Sequence, residues 1–529
     1  MNNPEEQRIN RTLVWLLVIS ALLRGFLASW MEFGNDEVYY WTYAKFPDWS
    51  HFDHPGMVGW MIQVFSLNLL FDSEFFIRLS SVVFMTANTY IIFRIGKEIK
   101  DAQTGLYAAL LYTASLYAFI ITGVFILPDT PMGIFWLLGF WMFTRFFVAE
   151  TPKNLYMILA GLFAGLCMLS KYTGLFLWIG AGLYILIYDR KKLKNPALYL
   201  ALFISAICCF PILYWNYQND FISFSFHSDR VSIFSQPTLK HIGTELVGEF
   251  FYNNPVNFII IIAAIFALIR NKIDFNRTER RLLLLTTLPM IFLFWFFALT
   301  RPTLPHWNAP AYNLLLLVAA CYLSDSHKTK GKGLHLPKSI YASLALLVSI
   351  TTLGVIEIKT GLVTLDHHTE ETELGKDDYT LDLYGWRQLT EKFAAFRSEC
   401  IQEGLMSEDD AIVSDNWFPA ANIDYYLARP LEMKVLGLGH PETIHKYLWI
   451  NEKRGGLQKG KNYWFITDSH YYHDPEKLYT NGMFTKIDLL GQIPIERNGK
   501  TVKNCFIYRC SNLRYFPKSL QELKEKKHL

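Results

Sequence analysis

The chain has 529 residues, a formal net charge of +3 and 52% hydrophobic residues, but only 18% charged ones. A water-soluble domain carries nearer a quarter charged residues, so this balance points to a bilayer. The net charge is too small to argue for nucleic acid, and none of the seven cysteines forms a CxxC pair that would signal structural zinc or dithiol redox chemistry.

The first apolar block runs from Thr12 to about Met31 with Arg24 inside it and no small-x-small cleavage site, so it reads as a retained helix and not a removed signal. Further apolar blocks follow at 56–71, 76–95, 102–122, 132–148, 155–170, 173–188, 197–215, 255–269, 282–299, 309–323 and 339–356. Most approach the roughly 17–25 residues that a helical span needs. Lysine and arginine collect in the intervening segments 189–196, 270–281 and 324–338, with smaller groups at 96–101, at 149–154 and near the start. The positive-inside rule puts all of them in the cytoplasm. Parity satisfies this only if one block does not cross. Block 56–71 is therefore predicted to lie on, or dip into, the outer surface, leaving about eleven spans.

The outer segments are then 32–75, 123–131, 171–172, 216–254, 300–308 and everything after 357. Residues 357–529 read as a separate small α/β or α+β domain outside the membrane, with strand-like runs at 411–418, 463–469 and 505–509 and a helix-like stretch at 386–404. The predicted architecture is an all-α polytopic membrane domain over 1–356 followed by this extracytoplasmic domain.

Chemistry collects on the outer side. Asp36 and Glu37 follow the first span, with Tyr39, Tyr40 and Trp41 beside them and Asp53-His54-Pro55 further on; Asp129 lies in the short turn ILPDTP. Arg78, Lys171 and Arg301 sit at the same level, and Arg24 lies about two turns inside its span. An arginine within a bilayer costs several kcal/mol unless it is paired, snorkelled or hydrated, so it usually faces a polar cavity. Singly, such groups are interfacial acids and snorkelling anchors. Together they suggest an amphiphilic anion at the outer leaflet, and a lipid phosphate fits, its oxygens held by cations while its tail stays among the helices. His54, His241 and His306 offer ligands for a divalent ion alongside Asp53, Glu37 or Asp129, but at no recognised metal spacing. No nucleotide-binding loop is present, so an enzyme at this face must receive its activated group on a carrier.

The stretches NDEVYYW (35–41), FDHPGMVGW (52–60), FFIRLSS (75–81), LPDTPMGIFW (127–136), LSKYTG (169–174) and LPHWNAPAYNLLL (304–316) resemble the GT-C class of membrane glycosyltransferases. Within that class the likeness is to the dolichyl-phosphate-mannose protein-mannosyltransferase group, family 39, and the related bacterial aminoarabinose transferases. DLYGWRQL (382–389) resembles the start of the outer domain in bacterial members. The resemblance implies surface-lying helices in the first outer loop. It also implies a sugar donor on undecaprenyl phosphate, inversion at the anomeric carbon, and a lipid, glycan or protein acceptor. The setting implied is the bacterial inner membrane, with the active site and the C-terminal domain on the periplasmic side. Asp36 matches the family's catalytic acid and Asp129 the acid of the second outer loop. Glu37, Tyr40, Arg24, His54, Arg78, Lys171, Tyr172, Arg301 and His306 are the candidate substrate-binding residues. Some relatives carry a divalent ion near these loops and others need none. A transporter or flippase for a lipid-linked substrate is the competing reading, although it would favour acids near the membrane midplane in related halves.

Overall fold

The computed structural model describes residues 4–230, 239–327, 335–479 and 482–516. Residues 231–238 of outer segment 216–254, 328–334 of the basic segment 324–338, and the charged tail from 517 on lie outside the described residues. Two compact units are present. One comprises Met1–Trp30 with Pro47–Ile350, the other Met31–Phe46 with Thr351–Leu529.

The first unit is helical. Its chain enters through α1 (Pro4–Trp30); α2 (Asn35–Lys45) belongs to the second unit, and the first resumes with α3 (Met57–Phe65), α4 (Glu74–Ile99), α5 (Ala102–Ala114) and α6 (Asp129–Val148). Then come α7 (Asn154–Ser170), α8 (Phe176–Tyr188), α9 (Pro196–Gln218), α10 (Ile222–Arg230), α11 (Leu239–Tyr252), α12 (Pro255–Ile269), α13 (Arg277–Ala298), α14 (Ala309–His327) and α15 (Lys338–Thr360), the last running across the unit boundary. Every stretch predicted to cross contains one of these helices. Among the described residues α1, α4, α6, α9, α13 and α15 are each long and apolar enough to span alone, while α11 and α12 meet at a 102° bend. Val14, Val18, Leu22 and Phe26 lie exposed along one face of α1. In water such a stripe would be a liability, but against lipid tails it costs nothing. Helix α3 has nine residues and rises only about 13 Å, less than half of a bilayer's ~30 Å apolar core, in keeping with the predicted surface helix.

The predicted span 102–122 is not one continuous α-helix. Helix α5 ends at Ser115, and a π turn, Tyr117–Ile121, carries the chain onward. At Gly161 of α7 an added Cβ would fall 2.5 Å from the carbonyl oxygen of Ala201, so glycine is what lets α7 and α9 pack at backbone distance.

The second unit holds a five-stranded sheet in the order β2-β1-β3-β5-β4. The strands are β1 (Ile412–Ser414), β2 (Val435–Gly437), β3 (Tyr463–Asp468), β4 (Phe484–Arg497) and β5 (Lys500–Leu513). β1 runs parallel to both β2 and β3, whereas β5 is antiparallel to β3 and β4. Asn498 and Gly499, both at positive φ (52° and 75°), close the β4–β5 hairpin, as a tight two-residue turn requires. Helix α16 (Trp386–Gln402) covers the predicted 386–404 stretch and buries Trp386, Leu389 and Phe393. Segment 31–46 packs within this unit. Phe33 and Trp41 meet Tyr425 at 4.9 and 5.2 Å between ring centroids, and the Phe33 N–H donates to the Tyr426 hydroxyl at 2.7 Å.

Candidate functional site

In the first unit Asp129 opens α6, where the unpaired N–H groups of the first turn favour a negative charge. Its carboxylate is buried. Lys171 Nζ donates to both oxygens, at 2.9 and 2.8 Å, and the Tyr117 hydroxyl donates to one at 2.8 Å. Lys171 reaches it because α7 stops at Ser170 and the next backbone turns extended (φ −156°, ψ 137°). Tyr117 comes from the π turn, a distortion frequent at functional sites.

His54 and His306 both lie within electrostatic reach of Asp129 and Lys171. Burial pushes each imidazole down to about 4. Lys171 adds to the depression, while Asp53 and Asp129 oppose it at His54 and Asp129 opposes it at His306. Both rings are therefore neutral at pH 7. The His227 ring nitrogen pairs with the Asp53 carbonyl at 2.9 Å, and its ring lies 6.5 Å from His54 and 5.2 Å from Tyr172. The Tyr172 hydroxyl is 3.3 Å from Ser223 Oγ.

The arginines differ. Arg24 is fully buried, with its guanidinium 4.7 Å from the Phe119 ring centroid, and its three guanidinium nitrogens have no hydrogen-bond partner among the described residues. Gly123 leaves it room, since a Cβ there would sit 2.8 Å from Arg24 Nε. Arg78, also fully buried, donates to the Ala28 carbonyl at 3.0 Å and so ties α4 to α1. Arg301 is half-buried in the turn leading to the 3-10 segment Pro305–Asn308 that carries His306.

In the second unit Asp36 is exposed in the first turn of α2. Glu37 is buried and accepts from the Gly34 N–H at 3.0 Å, which makes it a helix cap. Tyr40 is buried 5.7 Å from Tyr39 and 5.3 Å from Tyr43, centroid to centroid.

A buried carboxylate pair escaped the sequence reading. Glu249 of α11 accepts from Asn308 Nδ2 (2.6 Å), the Tyr312 hydroxyl (2.8 Å) and the Trp295 indole (3.0 Å), and Glu245, one turn earlier, accepts from the Thr303 hydroxyl (2.7 Å). Together they bind α11 to the segment that bears Arg301 and His306. Two glutamates four apart on an otherwise apolar helix face were the available signal.

For a divalent ion, the Asp129 surroundings fit poorly, because Lys171 and Tyr117 already engage that carboxylate. Asp366, His368 and Asp377 are the only three-ligand group within mutual reach among the described residues. Asp366 is already engaged there, by His368 and by the backbone N–H groups of Gly375 and Asp377.

Residues 53–215, less than half of the chain, match the family model described as dolichyl-phosphate-mannose-protein mannosyltransferase. The lipid A galacturonosyltransferase RgtD of Rhizobium johnstonii is 23% identical over 331 residues, 61% of this chain. The match spans 66% of that relative, just under two thirds of its length. The crystal structure of ArnT from Cupriavidus metallidurans bound to undecaprenyl phosphate has a TM-score of 0.60 at 12% identity, covering 93% of this chain and 97% of that one. The apo form gives 0.58 at 11% identity over 94% and 98%. The resemblance read from the short motifs thus extends to the fold, a polytopic helical domain of GT-C type with a small sheet domain after it.

Proposed function

We propose that this chain, a multi-pass membrane protein with the fold of the GT-C glycosyltransferases, moves a sugar from a polyprenyl-phosphate donor to an envelope acceptor. The setting is the periplasmic face of a bacterial inner membrane. The observation that carries this reading is Arg24. A guanidinium buried among helices with no hydrogen-bond acceptor among the described residues destabilises the fold by several kcal/mol, and an anion that arrives with its own apolar tail offsets that cost.

In this reading the donor phosphate lies toward Arg24 and Arg301, and its polyprenyl chain stays in lipid. Asp36, exposed and so open to an incoming hydroxyl, takes the acceptor proton as that oxygen attacks the anomeric carbon. Attack opposite the leaving group inverts the centre, and the bond from the anomeric carbon to the phosphate oxygen breaks. The electron pair leaves with the polyprenyl phosphate, already a stable anion, so no partnered general acid is required. Cations then stabilise the growing phosphate charge. Asp129 holds Lys171 in place, and the neutral imidazoles of His54 and His306 are suited to hydrogen-bond sugar hydroxyls. A divalent ion would supply the same charge stabilisation as the cations, but it would compete with the Lys171 ammonium for Asp129.

The test is purified protein with labelled undecaprenyl-phosphate sugars and envelope lipid extracts, lipid A first because the matched Rhizobium protein is named for it. Label should move to an acceptor with release of undecaprenyl phosphate, and Arg24→Met should weaken donor binding. Donor binding unchanged in that variant would remove the phosphate role from Arg24. No transfer from any such donor to any extract would reject the function.

A further inference from the structure

The carboxyl edge of the sheet in the second unit carries residues that, Asp36 apart, have no role in the proposed chemistry. In the sheet order β2-β1-β3, the chain leaves β1 toward β2 on one side and leaves β3 toward the β4–β5 hairpin on the other. β1 and β3 are parallel neighbours whose connections diverge, and in open sheets a crevice at the carboxyl ends of such strands is where ligands bind. The residues following these two strands meet there. Asp415, after β1, and His473, after β3, pair at 2.7 Å between Oδ2 and Nδ1. That contact raises the His473 pKa. Phe418 lies edge-on to Tyr471 at 4.7 Å, and Trp417 stacks on His445 at 5.7 Å with an 18° interplanar angle. Trp417, Phe418, Tyr471 and His473 are each only half-buried.

Segment 31–46 is part of this edge. Tyr39 packs 4.9 Å from Trp417 and 6.0 Å from His445, and its hydroxyl accepts from the Lys446 N–H at 3.4 Å. Asn35 reaches the Tyr471 hydroxyl. Asp36, between Asn35 and Tyr39 in sequence, is therefore carried on the carboxyl edge of the sheet. Tyr479 adds a buried hydroxyl with no hydrogen-bond partner among the described residues, within electrostatic reach of Asp415.

We infer that this edge is the subsite for the acceptor's saccharide. The inference rests on Asp36 as the group that receives the acceptor proton. Half-buried aromatic faces suit the C–H face of a pyranose, and the Asp415–His473 pair can accept from and donate to its hydroxyls. Asp382 and Asp415 each face a histidine, His470 at 3.2 Å and His473 at 2.7 Å, so the edge presents paired acceptors and donors of the kind that sugar hydroxyls bridge. The acceptor would then be selected by this unit while the donor lipid is bound by the helical one.

The experiment uses the full chain in detergent, titrated with glucosamine and N-acetylglucosamine disaccharides and followed by tryptophan fluorescence and saturation-transfer NMR. Trp417→Ala and the milder Trp417→Phe and Asp415→Asn are compared, with thermal melts confirming that each is folded. Wild type should bind, and Trp417→Ala should raise Kd about tenfold, the factor equivalent to some 1.4 kcal/mol of lost aromatic contact. Binding of undecaprenyl phosphate should not change. Equal disaccharide affinity in wild type and all folded variants would overturn the subsite, as would wild type that binds neither sugar. If wild type transfers sugar and the variants keep its KM for acceptor, the subsite fails while the proposed function stands. If the disaccharides bind through Trp417 but no lipid-linked donor is ever turned over, the function fails and the subsite stands.

Discussion

Replacing Lys171 by methionine removes a buried cation and leaves its partner behind. Asp129 would lose two charge-assisted bonds, at 2.8 and 2.9 Å, and keep, among the described residues, only the Tyr117 hydroxyl. Breaking a buried pair from one side costs about 3–5 kcal/mol, because the remaining charge has neither water nor counterion. Asp129→Asn alone should cost a similar amount by stranding the ammonium. The double variant, with both charges gone, should recover most of the loss of either single, giving a coupling of at least about 4 kcal/mol. Unfolding in mixed micelles with increasing SDS, run on all four forms, measures that coupling. Additive single effects, with coupling below about 0.5 kcal/mol, would refute the reasoning and mean that water screens the pair.

Other perturbations follow from the same contacts. His54 and His306 have folded pKa values near 4 against 6.5 unfolded, so between pH 6.5 and 4 the unfolded chain binds more protons and stability falls as the solution is acidified, by roughly 3 kcal/mol per histidine at most. The double His→Gln variant should flatten the stability profile in that window; an unchanged profile would assign the acid loss to other groups. Glu249→Leu should cost about 2–4 kcal/mol by stranding the Asn308, Tyr312 and Trp295 donors, and should speed proteolysis near residues 300–308; a cleavage rate like wild type would show that α11 does not hold that segment. Gly161→Ala should lower the melting temperature by forcing α7 from Ala201, and an unaltered melt would mean the approach relaxes freely. Gly499→Val, at φ 75°, should destabilise the hairpin by about 1–2 kcal/mol, read by hydrogen exchange along β4 and β5.

Much of the fold was legible because a bilayer imposes a simple rule, long apolar runs with basic loops between them, and every predicted crossing contains a helix. Charge parity separated 56–71 from the spans where hydrophobicity alone could not, since that block is as apolar as the others. The break at Ser115 was not legible, because a π turn keeps the apolar composition of the helix it interrupts; with it went Tyr117, which looks like one more aromatic in an apolar run. The β4–β5 hairpin was under-read. Asn498-Gly499 is a strong turn signal, but the flanking strands mix charged and apolar residues because β4 is an edge strand with many exposed positions.

In the site, Asp129, Lys171, His54 and His306 could be marked from topology, because outer loops must sit at one membrane face. The pairing of Lys171 with Asp129 could not, since it depends on how α6 and α7 end. Glu37 reads as a second acid beside Asp36, yet its neighbour Gly34 makes it a cap. The membership of segment 31–46 in the second unit rests on aromatic contacts nearly four hundred residues apart in sequence, such as Phe33 with Tyr426, which no local pattern announces.

Single-turnover transfer by Asp36→Asn probes the central claim most directly. Protein preloaded with a labelled undecaprenyl-phosphate sugar is mixed with an acceptor that wild type uses, and product is followed beside bound donor. The claim requires donor binding equal to wild type and transfer slower by about 10²–10⁴-fold, the usual worth of a general base. Transfer at the wild-type rate would contradict it.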